Sequence, residues 1–285
     1  MNFKEYLQQK QYSSSTVSRY TEGIENFLSW LQQEEIRAAQ FTYTELLDFM
    51  GYCHRRGISK RSVHNILCMV RHYCNYLIAG QQRTDNPAAG VFIKGLVRKL
   101  PVNLLSMEEM EALYQAYSIQ LNVDSSKKIM LGLMVYQGVT VGEIMRLQQD
   151  HIRIKDGKVF IKGTKRSGER VLNLQAVQIA ALQQYLEANR YKEGALFMEQ
   201  VKAPISARNI DNRIKYMFGQ LKQLNGKVIN AKQVRSSVIT HWLRQNNLRQ
   251  VQYMAGHKYV SSTQRYQVNN LDDLQNELQQ HHPMK

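Results

Sequence analysis

Apolar residues in the first hundred positions recur every third or fourth place, the spacing that lines one face of a helix. Ser13, Ser14 and Ser15 offer N-caps, and Val17, Tyr20, Ile24, Phe27, Leu28 and Leu31 follow as a single apolar stripe. A second helix is predicted from about 44 to 54, with Leu46, Leu47, Phe49 and Met50 as its apolar positions and Gly57 as its stop. Ser59 or Ser62 can cap a third, which carries Val63, Ile66, Leu67, Val70, Tyr73 and Leu77 on one face. Its opposite face holds Arg61, His64, Arg71, His72 and Asn75, side chains able to donate to phosphates or base edges. Asp85-Asn86-Pro87 ends the helical region.

The segment 89–103 is weakly patterned, contains Gly and basic residues, and closes with Pro101, as an interdomain linker would. Ser106 with Glu109 makes a capping box that opens a second domain. Helices are expected at about 107–117, 125–136 and 141–148. The period then changes to two. Ile152 to Ile154, a Lys155-Asp156-Gly157 turn, Lys158 to Ile161 and, after a basic loop, Arg170 to Leu174 read as a small antiparallel unit. From Ala176 the pattern is again helical. The expected fold is mainly α with a small antiparallel β-sheet (α+β), divided into 1–88, a linker at 89–103, and 104–285.

Length and composition agree with this division. A chain of 285 residues suits about two domains, and 43% hydrophobic residues with 4 prolines is globular composition. The longest apolar run, Ile129 to Tyr136, is far short of the ~20 residues that span a membrane, and no secretory pattern follows Met1. A cytoplasmic, nucleoid-associated protein is the expectation. Three cysteines make no disulfide framework. His64, Cys68 and His72 share a helix face, but there is no Cys-x-x-Cys pair and no convincing fourth ligand, so a polar face is favoured over a metal site. No cofactor is expected.

Charge changes the picture most. The formal net charge is +15, and it is clustered. Arg55, Arg56, Lys60 and Arg61 flank one Gly-Ile-Ser turn, and Lys94, Arg98 and Lys99 lie in a stretch without acids. From Lys202 to Arg249, Asp211 is the only acid. One such run is usually a solvated face; three point to a polyanion, and nucleic acid is favoured over an acidic membrane.

The chemistry-bearing residues lie in the second half. Gly138-Val139-Thr140-Val141-Gly142-Glu143-Ile144 comes first, then Lys162-Gly163-Thr164-Lys165 at the start of the hairpin loop. Lys232-Gln233-Val234-Arg235 follows, then Gly256-His257, with Tyr266 nine residues beyond His257. In this order they resemble the tyrosine recombinase, or phage integrase, family. That family's signature runs Gly-Leu-Arg-x-Ser-Glu-Leu, a hairpin Lys, His-x-x-Arg, Gly-His, and a Tyr nine residues on. Thr16-x-x-x-Tyr20, Phe27-x-x-Trp30-Leu31, Gly57-Ile58-Ser59 and Asn86-Pro87 are similar to its helical core-binding domain.

The resemblance implies a DNA strand-exchange enzyme with a core-binding domain and a catalytic domain. Tyr266 would be the nucleophile that stores the bond as a phosphotyrosine. Arg235 and His257 would hold the non-bridging oxygens, and Lys165, with Lys162 as the fallback, would protonate the departing 5′ oxygen. Lys232 stands where the family has His, and Thr140 where it has its first Arg, so Arg166 or Arg170 is expected to reach in as a substitute. Lys162, Arg166 and Arg170 are also expected DNA contacts, beside the clusters above. For Lys232 and Arg235, phosphate positioning without catalysis is the rival reading. The implied partners are double-stranded recombination sites, sister protomers in a tetramer, and an accessory bending or directionality factor. The tail from Leu271 to Gln280 packs either on a neighbouring protomer or on its own domain. Two rivals are a non-cleaving accessory relative and a plain DNA-binding regulator.

Overall fold

Side-chain caps decide where the helices of the N-terminal region begin. The structure, a computed structural model, describes residues 1–96, 103–120, 125–165, 167–189, 194–197 and 207–267. A reciprocal capping box between Asn2 and Glu5 opens α1 (Phe3–Gln9), a helix too short to show in the apolar pattern. Ser13 caps α2 (Ser14–Gln33), Thr42 with Glu45 caps α3 (Tyr43–Arg55), and Ser59 caps α4 (Lys60–Ala79). The stripes expected on α2, α3 and α4 meet in one core built on Phe27, Leu31, Leu46, Phe49, Leu67 and Val70. Phe27 meets Phe41 and Phe49 edge-on, at ring-centroid separations of 5.0 and 4.9 Å, the geometry the ring quadrupole favours. His72 packs against the rings of Tyr12 and Tyr20.

Ala88 and Val91 close this core. Their carbonyls need donors, and Arg71 supplies both: Nε donates to Ala88 at 3.1 Å and Nη2 to Val91 at 3.0 Å. This corrects one expectation: the chain through Val91 packs in the first core and is not free linker. Half-buried Arg71, an expected DNA contact, spends two of its N–H groups on the protein's own backbone. The chain forms two units, Met1–Arg98 and Lys99–Lys285.

In the second unit, Ser106 and Glu109 exchange the expected bonds at the start of α5 (Met107–Gln120). The next helix, α6 (Ser125–Gln137), is buried on every side from Ile129 to Gln137, as its continuous apolar run requires. It packs against α5, α8 (Ala176–Ala188), α9 (Ala207–Leu224) and α10 (Ala231–Gln245). Between α6 and the sheet lies α7 (Val141–Ile144), which stops four residues before the expected end. Beyond it the backbone leaves the helix to pair elsewhere: the Leu147 carbonyl accepts from Leu196 N at 2.8 Å, and Gln149 N donates to Gly194 at 2.9 Å.

The sheet has the expected meander order, β1 (Ile152–Arg153), β2 (Lys158–Ile161) and β3 (Arg170–Asn173), all antiparallel. Gly157, at φ +60°, makes the turn between the first two strands. Val159 pairs with Leu172 and Ile161 with Arg170, and strand alternation turns all four inward. At the C-terminal end, α11 (Leu248–Ala255) stops at Gly256, φ +65°, and α12 spans 260–267. No helix among the described residues is long and apolar enough to cross a membrane.

Candidate active site

The strand register that faces Arg170 inward also sets the centre of the site. Arg170 and Glu143 are 0% and 3% exposed, and they form a two-point pair: Nη1 to Oε1 at 2.7 Å and Nη2 to Oε2 at 3.2 Å. Thr140 caps α7 through the same carboxylate. Its backbone N–H and hydroxyl donate to Glu143 Oε2 at 2.9 and 2.8 Å, and Glu143 N donates back to Thr140 Oγ1 at 3.2 Å. Burial pushes the Glu143 carboxyl up, but the hydrogen bonds and charge of Arg170 outweigh it, holding it down at about 2. Glu143 is therefore ionised, and its charge is matched at close range.

Arg235 lies second in line behind that carboxylate, at 3.8 Å from Oε2. It stands on α10, where Nη1 donates to the Gly138 carbonyl and Nη2 to the Ala255 carbonyl at 2.6 Å. The fork thus joins the start of the α7 segment to the end of α11 and keeps a 14% exposed edge. Gly256 follows directly. A Cβ there would come within 2.5 Å of Arg170 Nη1, and φ is already left-handed, so only glycine fits. This close approach lets His257 sit over the buried cations. Burial, then Arg235 and Arg170, lower its pKa to about 4, so the ring is neutral at neutral pH. Its Nδ1 is 2.9 Å from Thr263 Oγ1, and its face stacks on Tyr266, centroids 6.0 Å apart and planes 16° apart.

The hairpin loop completes the cluster. Gly168 N donates to the Gly256 carbonyl at 3.0 Å, and Ser167 forms a β-bridge with His257. Thr164 and Ser167 close a tight turn, Ser167 N to Thr164 Oγ1 at 3.0 Å, which leaves Lys165 exposed at its tip. Lys162 is exposed in the same loop. Lys232, exposed on the first turn of α10, lines a cleft of about 390 Å³ with Val141, Phe218, Lys215 and Lys222.

Of the residues singled out from sequence, Arg235, His257 and Tyr266 are brought together, Thr140 is tied to them through Glu143, and the loop bearing Lys165 is anchored on His257. Arg170 is a correction. Alternation on β3 places it in the core, where Glu143 holds it, so it can neither contact DNA nor reach a phosphate as the substitute cation. Arg55, Arg56, Lys60, Arg61 and Lys94 are exposed, while His64 is half-buried, its Nε2 3.7 Å from Cys68 Sγ. Arg98, Lys99, Arg166 and the tail from Leu271 lie outside the described residues. Two members went unnoticed in the sequence. Glu143 was legible as the fourth residue of a Thr-x-x-Glu capping box; Thr263 carried no signal beyond standing three before Tyr266.

Comparison with known proteins gives this constellation a family. Residues 103–272 match the model of the phage integrase family, and residues 1–81 match that of the phage integrase N-terminal SAM-like domain. The chain belongs to the phage integrase family. Tyrosine recombinase XerC of Histophilus somni is 30% identical over 263 residues, covering 90% of this chain and 88% of the relative. The XerC of Bacillus pumilus is 26% identical over 295 residues, with 99% and 95% covered. In fold, the chain resembles the Tn1549 transposon integrase solved with transposon right end DNA (TM-score 0.69, 13% identity, 99% of each chain). A lambda integrase tetramer bound to a Holliday junction gives a TM-score of 0.68 at 16% identity, covering 93% of this chain and 74% of the other.

Proposed function

We propose that this protein is a site-specific DNA recombinase that cleaves and rejoins strands through a 3′-phosphotyrosine at Tyr266. The observation that carries the reading is the stack of Tyr266 on His257 above a buried Arg235, within a family of strand-exchange enzymes. The Tyr266 hydroxyl loses its proton to water as its oxygen attacks phosphorus, the P–O5′ bond breaks, and Lys165 protonates the departing oxygen. Arg235 and His257 donate to the non-bridging oxygens, where charge develops. Lys232 adds a point charge at the start of α10. The partner is double-stranded DNA carrying recombination sites, and the active assembly is a tetramer on two sites; an accessory bending or directionality factor belongs to the same reading.

The test is a duplex nicked beside the scissile phosphate, which traps the covalent intermediate. The unaltered protein should give a denaturation-resistant protein–DNA adduct. Tyr266→Phe should bind the same duplex and give none. Adduct formation by the Phe protein would remove Tyr266 from the mechanism, and its absence with the unaltered protein would favour a non-cleaving, DNA-binding role.

A further inference from the structure

Tyr266 and Arg235 have roles in the reaction above, but the residue that holds His257 between them does not. We infer that Thr263 is a positioning residue that donates its hydroxyl hydrogen to His257 Nδ1, so that the ring carries its proton on Nε2 and offers that N–H to a phosphate oxygen. The inference rests on the strand-cleavage reading for its catalytic consequence, though not for the tautomer itself.

The geometry fixes the direction of the bond. Thr263 is 0% exposed, and among the described residues the only hydrogen-bond partner of its side chain is His257 Nδ1, at 2.9 Å. Were Nδ1 the donor, the hydroxyl hydrogen of Thr263 would be buried with no acceptor, which costs its full desolvation. With Thr263 as donor, both groups are satisfied. The groups around the ring also disfavour the imidazolium: burial, Arg235, Arg170 and Arg265 oppose a further positive charge and outweigh the attraction of Glu143. A neutral ring has one N–H to place, and its tautomer is set by the bond at the other nitrogen. The opposite tautomer would aim the Nε2 lone pair at an anionic oxygen.

Place in the fold supports the role. Thr263 stands three residues before Tyr266, so both lie on one face of α12. Thr263 thus holds one edge of the imidazole while Tyr266 covers its face. The same short helix delivers the nucleophile and orients the donor. A rotation of α12 would lose both together.

The experiment compares the unaltered full-length protein with Thr263→Val, which replaces the hydroxyl by a methyl of similar size, and Thr263→Ser, which restores it. Long-range ring proton–nitrogen correlations on 15N-labelled protein, with His257 assigned by its loss in His257→Gln, distinguish the two tautomers from the imidazolium. The unaltered and Ser proteins should show a protonated Nε2 and an accepting Nδ1 at neutral pH, and the Val protein an averaged pattern. Adduct formation on the nicked duplex should fall roughly ten- to a hundredfold in the Val protein and recover with Ser. A protonated Nδ1 in the unaltered protein would overturn the inference. So would a Val protein that keeps the original ring pattern and cleaves at the original rate. An unaltered protein with the expected ring pattern but no adduct would instead refute strand cleavage and leave the tautomer assignment standing.

Discussion

Glu143→Gln tests whether the buried ion pair holds the site together. The substitution keeps the shape of the side chain and an acceptor for Thr140, but leaves Arg170 buried without its counter-charge. Its magnitude follows from the carboxyl itself, displaced from an ordinary value of 4.5 to about 2. At ~1.4 kcal/mol per pH unit, that displacement corresponds to about 3 kcal/mol of folding stability. It agrees with the ~3–5 kcal/mol lost when one partner is stripped from a buried pair. The sign is set because the folded carboxyl is the stronger acid. The stabilisation is fully present above pH 4.5 and fades as pH falls toward 2. The assay is urea unfolding followed by Trp242 fluorescence. The chain has 2 tryptophans, and a Trp30→Phe background leaves only the one in the second unit, which packs over Gly138. The Gln protein should unfold with about 3 kcal/mol less stability at pH 7, and the difference should shrink below pH 4.5. A deficit under ~1 kcal/mol, or one that stays constant as pH falls below 4.5, would refute the assignment of the pair as a stabilising element.

Replacing Arg55, Arg56, Lys60 and Arg61 together with Ala should weaken binding to duplexes of any sequence. It should also flatten the slope of log affinity against log salt by up to ~3–4, measured by fluorescence anisotropy; an unchanged slope would mean these exposed cations face only solvent. Lys165→Ala should slow single-turnover cleavage by ~10²-fold or more, with Lys162→Ala much milder. The reverse ranking would transfer the proton-donor role to Lys162. Thr140→Arg removes the cap on α7 and should cost ~1 kcal/mol in thermal unfolding while leaving cleavage equal or faster; slower cleavage would show that the cap matters more than an added cation.

Helices α2, α3 and α4 of the first unit could be read from the chain because each is amphipathic and begins at a Ser or Thr cap, whereas α1, short and capped by Asn2, could not. The hairpin was legible for a related reason: Lys155-Asp156-Gly157 sits between segments of period two, and Gly157 adopts the left-handed turn this predicts. Two features were not legible, and both depend on contacts distant in sequence. The early end of α7 comes from pairing of Leu147 and Gln149 with 194–196. Arg71 and Arg170 looked like surface cations because composition ranks arginine as exposed. Whether an arginine is instead spent on a carbonyl or a carboxylate depends on which strand register or chain turn arrives beside it. The cluster around His257 was legible as motifs but not as geometry, since Gly256 gives no sign in sequence that a guanidinium lies against it.

Thr140 bears on how fast such a site could work. Its hydroxyl donates to Glu143 Oε2 at 2.8 Å, so it cannot also donate to a phosphate unless the cap breaks. Arg170 is spent on the same carboxylate. Glu143 thus absorbs both Thr140 and Arg170; Arg166, the other substitute expected from sequence, lies outside the described residues. Arg235 likewise gives two of its five N–H groups to the Gly138 and Ala255 carbonyls and keeps a 14% exposed edge. The buried set nevertheless keeps one net positive charge, two arginines against one carboxylate beside a neutral histidine, and that charge lies near Tyr266 in a poorly screened interior. Attraction of the phosphate therefore survives the loss of one arginine better than the directed hydrogen bond does. A missing transition-state donor of this kind is worth ~3 kcal/mol, so the deficit should fall on the chemical step and leave duplex affinity largely intact.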